Sequence, residues 1–136
     1  MIYLLDVNAL LALGFMNHEF HDRIGSWIRS LPSPSPASPY LATCSITEIG
    51  FVRVLVQAPA YGLSVAQARG LLLRLKRGRN SRFTFISDDH DVSHLPGWVR
   101  GPKQITDGHL SRLAIANDAV LATLDKNIPG SFVIPK

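Results

Sequence analysis

Three things are scarce in this sequence. Cys44 is the single cysteine in 136 residues, so no internal disulfide can form and a reducing compartment is the natural setting. No apolar stretch reaches the roughly 18 residues that a membrane-spanning helix needs. No Lys or Arg precedes the first apolar run, which is itself too short for a secretory signal. Together these absences lead to the expectation of a soluble, cytoplasmic protein. What is present fits a globular chain: 46% of residues are hydrophobic and 18% charged, which argues against extended disorder. The length suits one domain, residues 1–136, with a core that needs no disulfide or metal to hold it.

Acids are outnumbered. Fourteen Lys and Arg face ten Asp and Glu, for a net charge of +4. The excess is uneven, because Arg69, Arg74, Lys76, Arg77, Arg79 and Arg82 follow one another with no acid among them. Such a run is either a solvated helix face or a surface that attracts phosphates or an acidic partner.

Apolar patterning alternates between strand-like and helix-like segments. "IYLL", "YLATCS", "RFTFIS", "AVLATLD" and "SFVIP" read as short strands, the first, second and fourth of them buried, the first with no polar alternation and the fourth ending in an acid. Between them, "VNALLALGF" and "HEFHDRIGSWIRSL" have helical spacing, the latter with Phe20, Ile24, Trp27, Ile28 and Leu31 on one face. "SITEIGFVRVLVQ" predicts a largely buried helix through Ile46, Ile49, Val52, Val54, Leu55 and Val56, and Ser45 with Glu48 has the spacing of a capping box. Ser64 opens a basic amphipathic helix, and Thr106 or Asp107 opens another over "TDGHLSRLAIAND". The Pro/Ser stretch at 32–39 reads as an exposed connection, and the polar 88–104 segment as a loop with a short helix start capped by Asp88 and Asp89. Strands alternating with helices predict a three-layer α/β/α sandwich around a parallel sheet of four to five strands.

In open parallel sheets, ligands bind beyond the carboxyl ends of the strands. Four acids fall there: Asp6 after the first strand, Glu48 in the turn after the second, Asp107 at the last long helix, and Asp125 after the fourth strand. Each alone has a structural account as a cap or turn residue. Gathered on one edge, they would repel one another and be driven to protonate unless a cation joined them. An oxygen-only donor set without Cys or His suits Mg²⁺, with Mn²⁺ as a substitute. A cation so held lowers the pKa of a bound water and neutralises charge on a phosphodiester. With those four acids set aside, fourteen basic residues face only six, which fits a nucleic-acid substrate.

The chain resembles the PIN-domain nucleases, and among them the VapC-type ribonuclease toxins of bacterial toxin–antitoxin pairs. The resemblance spans nearly the whole sequence and rests on "LLDVNALLAL", "CSITEIGFVRV" and "QITDGHLSRLAIANDAVLATLD". It implies a PIN fold and Mg²⁺-dependent endoribonuclease activity, with Asp6, Glu48, Asp107 and Asp125 as the acidic quartet. Asn8, Ser45 and Thr123 match polar positions around that quartet. The resemblance further implies a homodimer and a small VapB-like antitoxin that blocks the acidic pocket. On this basis Asp6 and Asp107 are expected to hold the principal ion, with Glu48 and Asp125 acting through water or on a second ion. Arg74, Arg77 and Arg112 are candidates for contacting RNA or antitoxin.

Rival readings are a solitary RNA-processing nuclease and a PIN domain that binds without cutting. A phosphatase is disfavoured because Asn8 stands where a second aspartate would follow Asp6. His18, His21, His90, His94 and His109 lie among acids, but none has the paired spacing of a zinc motif.

Overall fold

The computed structural model describes residues 1–33, 35, 39–78 and 83–136. Arg79 and Arg82 of the basic run, and residues 34 and 36–38 of the Pro/Ser stretch, lie outside them. Among the described residues there are five strands: β1 (Ile2–Leu5), β2 (Leu41–Cys44), β3 (Phe83–Ile86), β4 (Ala119–Thr123) and β5 (Phe132–Val133). All pair in parallel, in the order β3-β2-β1-β4-β5. Five helices accompany them: α1 (Val7–Gly14), α2 (His21–Ser30), α3 (Ser45–Gln57), α4 (Val65–Lys76) and α5 (Ile105–Ala116). The expected α/β/α sandwich is therefore present, with the sheet at the upper end of the expected strand count.

Side chains alternate across the sheet as a pleat requires. Leu5, Leu41 and Ala122 point to one face, where they meet Leu10, Ile24, Phe51, Leu55 and Leu72 of α1 to α4. Leu4, Ala42 and Leu121 point to the other, where α5 covers them with Leu110, Leu113 and Ala114. Both faces being covered explains why β1, β2 and β4 carry apolar residues without polar alternation. Trp27 lies edge-on to Tyr3, with ring centres 4.9 Å apart, and so ties α2 to the sheet.

Local signals place the elements with some shifts. Ser64 and Gln67 form the capping box that starts α4. α2 begins at His21, leaving Phe20 exposed just ahead of it. The expected Ser45–Glu48 box is displaced by one residue. Cys44 is the cap, in extended conformation, and its N–H donates to Thr47 Oγ1 at 3.0 Å. α3 is also less buried than its composition predicts. Only Thr47, Phe51 and Leu55, a stripe at i, i+4 and i+8, are buried, while Ile49 and Val56 are exposed. α5 is preceded by a tight turn over Pro102–Gln104 and capped at Gln104, so Asp107 lies inside its first turn rather than at the cap. The short turn Val92–His94 is capped by Asp91, whose Oδ1 accepts from Ser93 N–H at 2.9 Å, and not by Asp88 and Asp89. Among the described residues, no helix is long and apolar enough to cross a membrane.

Candidate functional site

The order β3-β2-β1-β4-β5 makes the boundary between β1 and β4 a switch point. The chain moves outward from β1 to β2 and β3, then returns through α5 to β4 on the other side. A crevice opens beyond the carboxyl ends of such strands. Here it is a cavity of about 330 Å³ whose polar lining is Asp6, Asn8, Thr106, Asp107 and Asp125. Leu11, Val54, Leu110 and Ile128 supply its apolar wall.

Asp6 is fixed by the end of β1. Its backbone N–H donates to Ala122 O at 3.1 Å, extending the β1–β4 pairing by one residue. Its Oδ1 accepts from Ala9 N–H at 2.8 Å, so it does cap α1. The cap and site roles assigned to it from sequence are compatible, because the second carboxylate oxygen is not used by the cap. Only 7% of Asp6 is exposed. Burial, reinforced by the charges of Asp107 and Asp125, pushes its carboxyl from 3.8 up to about 6 against the opposing hydrogen bonds of Thr123 and Ala9. Asp107, half-buried in the first turn of α5, is raised by burial and by Asp125. Asp125 is exposed, and its Oδ1 accepts from Asn127 N–H at 2.8 Å in the turn that follows β4.

Thr123 connects two of these acids. Its hydroxyl hydrogen-bonds the Asp6 carboxylate and accepts from Asp125 N–H at 3.0 Å. Asn8 is exposed at the cavity rim. Ion pairs among the described residues lie elsewhere, so the three aspartates face one another across a shared space. They line the cavity without closing on a point: among the described residues, no group of three or more His, Cys, Asp or Glu is gathered tightly enough to grip a bare ion. A hard cation of the Mg²⁺ class keeps several waters and takes only one or two carboxylates directly. The oxygen-only lining and the mutual repulsion of the acids fit Mg²⁺ on the same grounds.

Glu48 is not in this cavity. Its Oε2 accepts from Thr43 Oγ1 at 2.6 Å and from Lys76 Nζ at 2.5 Å, at the end of a neighbouring groove between α3 and α4. Ser45, exposed at the first position of α3, does not line the cavity either. Arg112 is exposed on α5 beside Trp98 and Pro129, away from the acids. Arg74 and Arg77 are exposed at the end of α4. Thr43 and Lys76 were not singled out as site residues from sequence. A signal for Thr43 exists: Leu41-Ala42-Thr43 and Leu121-Ala122-Thr123 are the same tripeptide at two strand ends, and each threonine serves an acid. Of the five histidines, His90 and His94 on the loop after β3 and His109 on α5 are paired with Asp89, Asp91 and Asp88.

No protein-family model matches the chain. Among characterised proteins it is 39% identical to Ribonuclease VapC44 of Mycobacterium tuberculosis, over 92% of this chain and 87% of that one. It is 36% identical to Ribonuclease VapC38 of the same organism, over 92% and 86%. Among solved structures it superposes on Mycobacterium tuberculosis VapC20, a sarcin-ricin loop cleaving toxin, with a TM-score of 0.61 and 11% identity over 93% of this chain and 92% of that one. It also superposes on VapBC2 from Rickettsia felis, solved with a DNA fragment from the promoter, with a TM-score of 0.58 and 17% identity over 98% and 97%. At such identities the two structures speak for a shared fold.

Proposed function

The chain belongs to the VapC ribonucleases, and from that premise we propose that it is the toxin of a VapBC-type pair, a single PIN domain that cleaves RNA phosphodiester bonds with Mg²⁺ or Mn²⁺. The observation that carries this reading is the cavity at the β1–β4 switch point. Three aspartates share it, and one of them is pushed up to about 6 by burial and by its neighbours' charges. A fold that tolerates that repulsion has kept the acids for a use other than stability.

Asp6 and Asp107 are the residues proposed to hold the ion, with Asp125 binding through water. When bound, the ion supplies a water of lowered pKa and a counter-charge for the phosphodiester. The rest is the work of the chain's own groups. β1 and the first turn of α5 hold Asp6 and Asp107 on rigid backbone. Thr123 orients the Asp6 carboxylate and the Asp125 backbone together. Asn8 and Thr106 offer hydrogen bonds at the rim without adding negative charge, and the apolar wall limits bulk water. Glu48 stands on the α3 side, outside the cavity and paired with Lys76. Arg74 and Arg77 present positive charge to RNA or to an acidic antitoxin segment.

Partner and setting follow the same reading: a VapB-like antitoxin, a homodimer, and the cytoplasm. The relatives' names favour a toxin over a solitary processing nuclease. The test is cleavage of a mixed RNA pool with Mg²⁺ or Mn²⁺ by the unmodified protein, Asp6→Asn and Asp107→Asn. Activity in the first and its loss in both variants, with unchanged circular dichroism, is expected. Full activity in either variant refutes the site, and no activity in any favours a binding module.

A further inference from the structure

Glu48 stands apart from the three aspartates even though its turn lies beside theirs. The starts of α1 and α3 touch at Val7 and Gly50, where a Cβ on Gly50 would fall 2.5 Å from Val7 Cγ2. Only glycine permits that approach, and it brings the first turn of α3 alongside the turn that carries Asp6. What keeps Glu48 out of the cavity is the grip on its Oε2: the Thr43 hydroxyl from the end of β2 and the Lys76 ammonium from the end of α4. The Glu48 and Lys76 side chains are each only 22% exposed, so this pair is partly shielded from water and salt. Lys76 also lies over the Phe85 ring of β3, 5.4 Å from its centre. The lysine is thus held from α3 and from the sheet at once.

We propose that Lys76 is a built-in cation that stands where a second divalent ion would otherwise bind, so that this protein's acidic site takes a single ion, on the aspartate side. The inference rests on the divalent-ion reading of the function and goes beyond it by fixing the ion count and the residue that sets it. Two-metal sites hold their ions roughly 3.5–4 Å apart, each on carboxylates. Here the acid on the α3 side already has a positive partner. A dication approaching Glu48 would have to displace an ammonium that the fold keeps tethered, and it would meet like charge in doing so. Lys76 is therefore a positioning residue: it neutralises Glu48 and holds it at the edge of the site.

Mn²⁺ serves as the probe, with binding to the purified full chain counted by equilibrium dialysis and by electron paramagnetic resonance. The unmodified protein and Lys76→Arg are expected to bind about one ion per chain, and Lys76→Gln and Lys76→Met about two. Coupling between neighbouring Mn²⁺ ions should broaden the resonance only in the two neutral variants. Two ions in the unmodified protein, or one in both neutral variants with unchanged circular dichroism, overturns the inference. Binding of none by the unmodified protein sinks the divalent-ion reading itself. Should the Lys76 variants not fold, Glu48→Gln decides: about one bound ion at an affinity within roughly threefold supports the inference, whereas loss of binding places Glu48 among the ligands and refutes it.

Discussion

Asp6, Asp107 and Asp125 share a cavity and repel one another, whereas Asp88, Asp89 and Asp91, on the loop after β3, each face an imidazole. His109 Nε2 lies 2.5 Å from Asp88 Oδ2, His90 Nδ1 2.9 Å from Asp89 Oδ1, and His94 Nδ1 3.5 Å from Asp91 Oδ1. The electrostatic results are opposite. Asp6 and Asp107 are pushed up by burial and by like charge. Burial opposes the charge of Asp88 as well, but the hydrogen bonds of His109 and of His90 N–H prevail and hold its carboxyl below the usual range. Asp91 is lowered by the hydroxyl and backbone N–H of Ser93. Asp88, shielded beside His109, is held in its charged form by its partners. Asp6 and Asp107 are held against their own preference, the state expected of groups awaiting a cation or a substrate.

The largest expected effect tests whether activity follows that division. Asp6→Asn or Asp107→Asn should lower RNA cleavage about 1,000-fold, the scale of losing a preorganised electrostatic group. Asp88→Asn should leave it within about threefold. A loss at Asp88 matching that at Asp6 would erase the distinction between the two regions.

Stability should respond in the reverse sense. The Asp6 carboxyl has a folded value of about 6 against 3.8, so between these values the folded chain binds more protons than the unfolded one. Stability from this group is complete below 3.8 and is lost as pH rises through about 6, by at most roughly 3 kcal/mol. Urea unfolding in EDTA should show that decline between about pH 4 and pH 6.5, and Mg²⁺ should restore stability at the upper end. Asp6→Asn keeps an oxygen acceptor for Ala9 N–H and should remove both the decline and the Mg²⁺ response. An unchanged pH slope in that variant would detach Asp6 from the strain assigned to it.

The strand ends were legible because parallel strands share a direction. Once "IYLL" and "AVLATLD" are read as buried strands, Asp6 and Asp125 must lie near one edge, and the pairing of Leu5 with Ala122 delivers them there. Glu48 was legible as an acid near the same edge, but its placement was not. It depends on Lys76, 28 residues away on another helix. The capping signal misled by one residue, because Ser45–Glu48 and Cys44–Thr47 offer the same spacing and the extended backbone of Cys44 selects the second. Burial in α3 was overestimated because its apolar residues fall on several sides of the helix, so periodicity cannot tell the Phe51 stripe from exposed Ile49. The His109–Asp88 bond joins residues 21 apart and leaves no local pattern.

A smaller effect separates holding the fold from serving the site. Asp88→Asn removes a charged acceptor from a pair whose side chains are 15% and 17% exposed. Loss of one such charge-assisted bond should destabilise by about 1–2 kcal/mol at pH 7. Because the Asp88 carboxyl is held below its usual range, its contribution is present above the unfolded value and lost as pH falls through the folded one. The difference between the unmodified protein and Asp88→Asn in urea should therefore vanish on strong acidification. A difference that grows there would show that the pair does not work through charge.

Asp91→Ser should do the least, and it shows that pairing alone does not make an acid matter. The Asp91 side chain is 78% exposed and its imidazole partner 50%, so water and salt already screen the 3.5 Å contact. Serine also retains an oxygen that can accept from Ser93 N–H, which keeps the start of the Val92–His94 turn closed. The urea midpoint should stay within error of the unmodified protein, both in low salt and in 0.5 M NaCl. A shift as large as that of Asp88→Asn would mean that the loop is held by its acids as a set. The contrast with the cavity would then be one of net charge and not of burial.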